Sequence, residues 1–126
     1  MVLTKMDDKL NEMFLIQRKL QNKLGNLERI EKSEKLKQSY INQMILAIHE
    51  EAVEIMRETP YKNPEYVEFG WKKNQEWNEE KYKDEIIDLW HFVMNLSIAV
   101  NMDAKEFYER YLFKNNINIE RKNNSY

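Results

Sequence analysis

Apolar positions recur every three or four residues through most of this chain, which is the spacing of one face of an α-helix. Met6, Leu10, Met13, Gln17, Leu20 and Leu24 form the first such stripe, and Gly25-Asn26 reads as its stop. Leu27 to Lys32 is charged and reads as a connection with some helical tendency. Ser33 stands where an N-cap would open a second helix running to about Glu58, with Ile41, Met44, Ile48, Glu51 and Ile55 on one stripe. Thr59-Pro60 ends it, because a residue before proline is pushed out of the helical region. Thr59 to Asn78 reads as a long irregular segment. It holds Pro60, Pro64 and Gly70, with Tyr61, Tyr66, Phe69, Trp71 and Trp77. A loop this aromatic is expected to pack over something. A third helix is predicted from Glu79 to Val100, with Glu85, Asp88, Phe92 and Asn95 on its stripe. Asp103 with Glu106 resembles a capping box and opens a fourth helix through Phe107 and Tyr111 toward Asn118. The polar tail from Glu120 to Tyr126 is expected to be loose at its end. The pattern predicts an all-α fold, a four-main-helix bundle in a single domain over residues 1–126.

Composition narrows what such a bundle can do. The chain is 42% hydrophobic and 33% charged, a globular balance and not a disordered one. A formal net charge of −2 leaves no footprint for duplex nucleic acid. The absence of cysteine excludes a disulfide scaffold and any thiolate metal site, and it fits a reducing cytoplasm. Lys5, Asp7, Asp8 and Lys9 interrupt the N-terminus, so no secretory h-region is present. No apolar run reaches the roughly 18–20 residues of a membrane span. The expectation is therefore a cytoplasmic protein, in the host cytoplasm if the gene is a phage's. A chain this small also gains from pairing with a second copy.

The candidate chemistry is acidic. Acids three apart share a helix face, but spacing alone selects little here, because the pairs 28/31, 31/34, 51/54, 65/68, 76/79, 85/88, 103/106 and 106/109 all have it. Surroundings separate two of them. Between Tyr40 and Met56 the charged residues are Glu50, Glu51 and Glu54, and from Ile86 to Val100 there is Asp88 alone. Acids on such apolar helices are expensive without a partner, and neither segment offers a Lys or Arg. Glu51, Glu54, Glu85 and Asp88, from two helices packed face to face, therefore read as ligands of a divalent cation. Oxygen-only ligands favour Mg²⁺, with Mn²⁺ the alternative. His49 and His91 lie on the same helices, and His91, one turn from Asp88, is the better functional candidate. With two glycines in the chain there is no phosphate loop, so phosphates would be held by metal and by the stripe Tyr111, Lys114, Asn118 and Arg121, with Asn115 beside it.

Glu51-x-x-Glu54 followed by Glu85-x-x-Asp88 resembles the metal signature of the all-α nucleoside triphosphate pyrophosphatases, which include dimeric dUTPases and MazG-type enzymes. The run from Glu85 through His91 to Asn95 is similar to that of dimeric dUTPases and of the dCTPase/dUTPase of large tailed phages. The run from Tyr111 through Lys114, Asn115 and Asn118 to Arg121 is similar to their phosphate-contacting motif, and Gln17 to Gln21 to their base-pocket helix. The resemblance implies a homodimer with Mg²⁺ on the four acids. It implies a base and sugar pocket lined by Gln17, Gln21, His91 and Asn95, and a triphosphate approached by Lys114, Asn115, Asn118 and Arg121. One departure is the tail, which ends Arg121-Lys122-Asn123-Asn124-Ser125-Tyr126 where the family commonly has Arg-Gln-x-x-Gly-Tyr.

The implied reaction is Mg-dependent hydrolysis of a pyrimidine deoxynucleoside triphosphate, dUTP or dCTP, to the monophosphate and pyrophosphate, with Glu54 as the catalytic carboxylate. Two alternatives stand beside it. One is a MazG-like pyrophosphatase of broad specificity, which the Lys114–Arg121 motif disfavours. The other is a non-catalytic helical interaction or regulatory protein, which four intact acids disfavour.

Overall fold

The computed structural model describes residues 8–67 and 74–125, and among them there are five helices and no strand. They are α1 (Lys9–Lys23), α2 (Asn26–Lys32), α3 (Glu34–Arg57), α4 (Glu79–Ala99) and α5 (Ala104–Ser125). No described helix is long and apolar enough to cross a membrane.

Capping chemistry sets where each helix begins. The Asp8 side chain accepts from the Asn11 N–H at 3.0 Å and starts α1, while Met6 of the predicted stripe lies outside the described residues. Ser33 Oγ accepts from the Leu36 N–H at 3.3 Å to start α3, and Asn78 Oδ1 accepts from the Lys81 N–H at 3.3 Å to start α4. Asp103 Oδ1 accepts from the Glu106 N–H at 2.8 Å, which is half of a capping box. The returning half is missing because the Glu106 carboxylate pairs instead with Arg110 at 2.6 Å. Between α4 and α5 the Asn101 N–H donates to Ile98 O and the Met102 N–H to Ser97 O. This is a Schellman closure with Asn101 in the left-handed region at φ 58°.

Two predicted boundaries are corrected. Leu27 to Lys32 is a helix of its own, α2, because Gly25 turns the chain at φ 79° and Leu27 and Ile30, three apart, both enter the core. The tail from Glu120 is helical to Ser125. A polar composition did not stop it, since no proline or glycine follows Gly70.

The buried core is Phe14 of α1, Leu27 and Ile30 of α2, Tyr40 of α3, Met94, Ile98 and Ala99 of α4, and Ala104 of α5. Phe14 meets Phe107 with ring centroids 5.6 Å apart, which docks the start of α5 on α1. This core grips the first half of α3 and the second half of α4. The other halves run on as an antiparallel pair, closed at its far end by the Asn78 N–H on Glu58 O (3.0 Å) and the Lys81–Glu58 ion pair (3.5 Å). Between α3 and α4, Asn63 and Gln75 bind each other twice, by Asn63 Nδ2 to Gln75 O (3.0 Å) and Gln75 N to Asn63 Oδ1 (2.6 Å). Gln75 Nε2 also donates to the carbonyls of Arg57 and Thr59. These bonds tie the ends of the connection to the end of α3. Trp77 packs edge-on against Tyr82 at 5.3 Å, whereas Phe69, Gly70 and Trp71 of the aromatic loop lie outside the described residues.

Ile98 is 2% exposed, so Ile98→Ala should cost about 2–5 kcal/mol of stability. Gly25→Ala should cost about 1–2 kcal/mol from its positive φ alone, because an added Cβ meets nothing within 4 Å. Urea unfolding of both variants checks the ranking.

Candidate active site

The seam between α3 and α4 carries polar groups at two levels. At the outer level, carboxylate oxygens of Glu51, Glu54 and Glu85 lie within 4.8 Å of one another. Glu51 and Glu85 are half-buried and Glu54 is exposed. Asp88 is exposed and outside this tight group, but its charge reaches Glu51. Helical spacing puts each pair on one face, and antiparallel packing turns the two faces together.

Glu51 is the strained member. Its Oε2 is enclosed and has no hydrogen-bond partner, alone in this among the buried side-chain atoms of the described residues. Burial, a proton shared with Glu85, and the negative charges of Glu54, Glu85 and Asp88 push its carboxyl up to about 7. An enclosed carboxylate oxygen with no donor, facing other carboxylates, is what a bound cation would relieve. The set is all oxygen and fits Mg²⁺ or Mn²⁺.

Two turns along the same seam sits a buried amide network. Gln17, Gln21 and Asn95 are 7%, 5% and 4% exposed. Gln17 Nε2 donates to Asn95 Oδ1 at 2.7 Å, and Asn95 Nδ2 makes a long contact of 3.5 Å to Met44 Sδ. Gln21 Oε1 accepts from Tyr40 OH and from Asn26 Nδ2, both at 2.8 Å. Burial pushes the Tyr40 phenol up to about 12, so it stays a donor at any ordinary pH.

The remaining sequence candidates lie elsewhere. His91 is exposed and borders a mostly apolar cavity of about 330 Å³ between α1 and α4, beside Met13, Phe14, Trp90 and Phe107. Lys114, Asn115, Asn118 and Arg121 are exposed on α5, whose main packing partner among the described helices is α1. One chain therefore does not bring them to the carboxylates. Tyr40 and Asn26 had no site role in the sequence, and Met44 stood there only as a stripe position. The signal for Tyr40 was the α3 stripe itself, since Met44 precedes Glu51 by seven residues and the stripe extends back by four more to Tyr40. Asn26 gave no signal beyond its place in a turn.

A profile of the dUTPase family matches residues 9–110, from α1 into α5. The chain belongs to the dUTPase family, in the all-α nucleoside triphosphate pyrophosphatase group. It is 36% identical over 64 residues to a dCTP pyrophosphatase of Enterobacteria phage T4. It is 39% identical over 64 residues to one of Enterobacteria phage LZ5. Each alignment takes in 48% of this chain and 37% of the relative's length. No solved structure matches it.

Because the folded pKa of Glu51 is raised from 4.5 to about 7, its contribution is full when the carboxyl is protonated in both states, below about pH 4.5. It is lost as pH rises through about 7. In chelator, Glu51→Gln should therefore gain stability relative to the parent as pH rises from 5 to 8. Thermal unfolding across that range measures the difference, and a constant difference would contradict the assignment.

Proposed function

We propose that this protein hydrolyses a pyrimidine deoxynucleoside triphosphate, dUTP or dCTP, to the monophosphate and pyrophosphate. The observation that carries this reading is the placement of two chemistries on one seam. Met44 precedes Glu51 by seven residues on α3, and Asn95 follows Asp88 by seven on the antiparallel α4. Seven helical residues span about 10 Å, which suits a nucleotide with its base at the amides and its phosphates at the carboxylates. Family membership and the names of the two phage relatives support the same reaction.

Glu51, Glu54, Glu85 and Asp88 would hold Mg²⁺, with Mn²⁺ able to replace it. When bound, the ion neutralises phosphate charge and lowers the pKa of a coordinated water. Glu54, the exposed member of the tight group, accepts the proton of the attacking water. Gln17, Gln21 and Asn95 orient the base, and His91 stands one turn from Asn95 toward the carboxylates. Lys114, Asn115, Asn118 and Arg121 meet the phosphates from a second copy of the chain. Exposed apolar residues on α3 (Leu46, Val53), α4 (Ile87, Trp90) and α5 (Leu112, Phe113) support that pairing, since a lone chain would leave them in water.

Pyrophosphate release from the four common deoxynucleotides and dUTP, with Mg²⁺, tests the reaction. Release from dUTP or dCTP, and little from dATP or dGTP, is expected. No release from any of them would overturn the reading. Glu54→Gln should lower kcat by about 10²–10⁴ with the fold intact. Light scattering should give the mass of two chains, and a single-chain mass at micromolar concentration would remove the proposed source of the phosphate ligands.

A further inference from the structure

The last carbonyls of an α-helix have no donors within the helix. At the end of α3 the donors come from the stretch that leads into α4. Gln75 Nε2 donates to Arg57 O and, at 2.8 Å, to Thr59 O. The Asn78 N–H donates to Glu58 O, between those two, at 3.0 Å. Asn78 also opens α4, since its side chain accepts from the Lys81 N–H. Gln75 is held in turn by Asn63, which accepts from its N–H at 2.6 Å and donates to its carbonyl at 3.0 Å. The end of α3 and the start of α4 are thereby a single joint.

The joint sets the level of the acids. Seven residues back from Glu58 on α3 is Glu51, and seven forward from Asn78 on α4 is Glu85. Seven helical residues rise about 10 Å in close to two turns, so antiparallel packing brings Glu51 and Glu85 level, on the faces that carry the joint. A slip of one turn would bring Tyr82 or Asp88 level with Glu51 instead. The apolar core does not hold this register alone. From Ile41 to Arg57 on α3, and from Glu79 to Val93 on α4, no residue is buried. Met44 is the furthest α3 residue packed against the core, and Glu54 lies ten residues beyond it. That lever is about 15 Å long, and a swing of about 15° would move its end by about 4 Å. Carboxylate oxygens of Glu51, Glu54 and Glu85 lie within 4.8 Å of one another, so such a swing would break the group. Repulsion among the acids pushes in that direction.

We infer that Gln75 and Asn63 are positioning residues for the cation site, bolting α3 to α4 so that Glu51 and Glu85 stay level and close; this rests on the cation reading of the acids proposed above. Gln75 acts through the carbonyls of Arg57 and Thr59, and Asn63 acts through Gln75. The buried core lies at the other end of both helices. Loss of the joint should therefore cost cation affinity and leave the bundle folded.

Calorimetric titration of Mg²⁺ into the metal-free protein tests this without any need for turnover. Gln75→Met keeps the length of the side chain and removes its donor. Its Kd for Mg²⁺ should rise roughly tenfold or more, and Asn63→Ala should raise Kd in the same direction. Ser33→Ala, which removes the cap at the opposite end of α3, is the control for helix stability. It should lower Tm and leave Kd at the parent value. Amide exchange in chelator reads the joint with no metal present: the Asn78 N–H should exchange faster in Gln75→Met than in the parent, with the amides of α1 unchanged. Circular dichroism confirms that each variant is folded. A parent-like Kd in folded Gln75→Met and Asn63→Ala would overturn the inference and leave the cation site standing. So would a rise of Kd in Ser33→Ala as large as that in Gln75→Met. No Mg²⁺ binding by the parent would overturn the cation reading, and this inference with it.

Discussion

Like-charge crowding at Glu51 is the constraint around which the rest of this protein is arranged. A carboxylate oxygen enclosed without a donor, facing Glu85 and Glu54 and within the field of Asp88, opposes close packing of α3 on α4. The two helices nonetheless hold together, and the means are visible at both ends of the seam. On one side the apolar core from Phe14 to Ile98 grips the first half of α3 and the second half of α4. On the other, Glu58 is tied to Asn78 and Lys81, and Gln75 closes on the carbonyls of Arg57 and Thr59 at the end of α3. The repulsion is thus clamped between two stabilised ends, which is how a fold can hold charge where a ligand is to bind.

The same seam changes character along its length. At the level of Met44 and Asn95 the polar groups are neutral amides, paired with each other and buried. At the level of Glu51 and Glu85 they are acids left with an orphan oxygen. Neutral amides can be buried when paired and can still present one free end, whereas ionised acids repel one another and are relieved by a proton or a cation. One helix pair therefore carries neutral amides at one level and crowded acids at another, at a separation the helix rise sets.

Much of this was legible in the sequence because helices announce themselves locally. Ser33, Asn78 and Asp103 capped where caps were expected or one residue before the expected start, and the acid pairs stood out once their apolar surroundings were weighed. What the sequence hid was set by tertiary contacts. Leu27 and Ile30 look unremarkable in a charged stretch, yet burial of both makes α2 a helix. The tail looked loose because it is polar, but polarity does not end a helix that lacks a breaker. Asn26 and Tyr40 join the amide network only through Gln21, by bonds across elements that periodicity cannot show. The residues Lys114 to Arg121 carry a motif, but a single chain holds them away from the acids.

The central claim is that the α3–α4 acids are a cation site, and thermal unfolding with and without Mg²⁺ tests it most directly. Binding to the native state must raise Tm as Mg²⁺ is added. The account predicts a concentration-dependent rise that saturates, occurs also with Mn²⁺, and is abolished by Asp88→Asn. A Tm that does not respond to millimolar Mg²⁺ or Mn²⁺, or a rise that Asp88→Asn leaves intact, would contradict it.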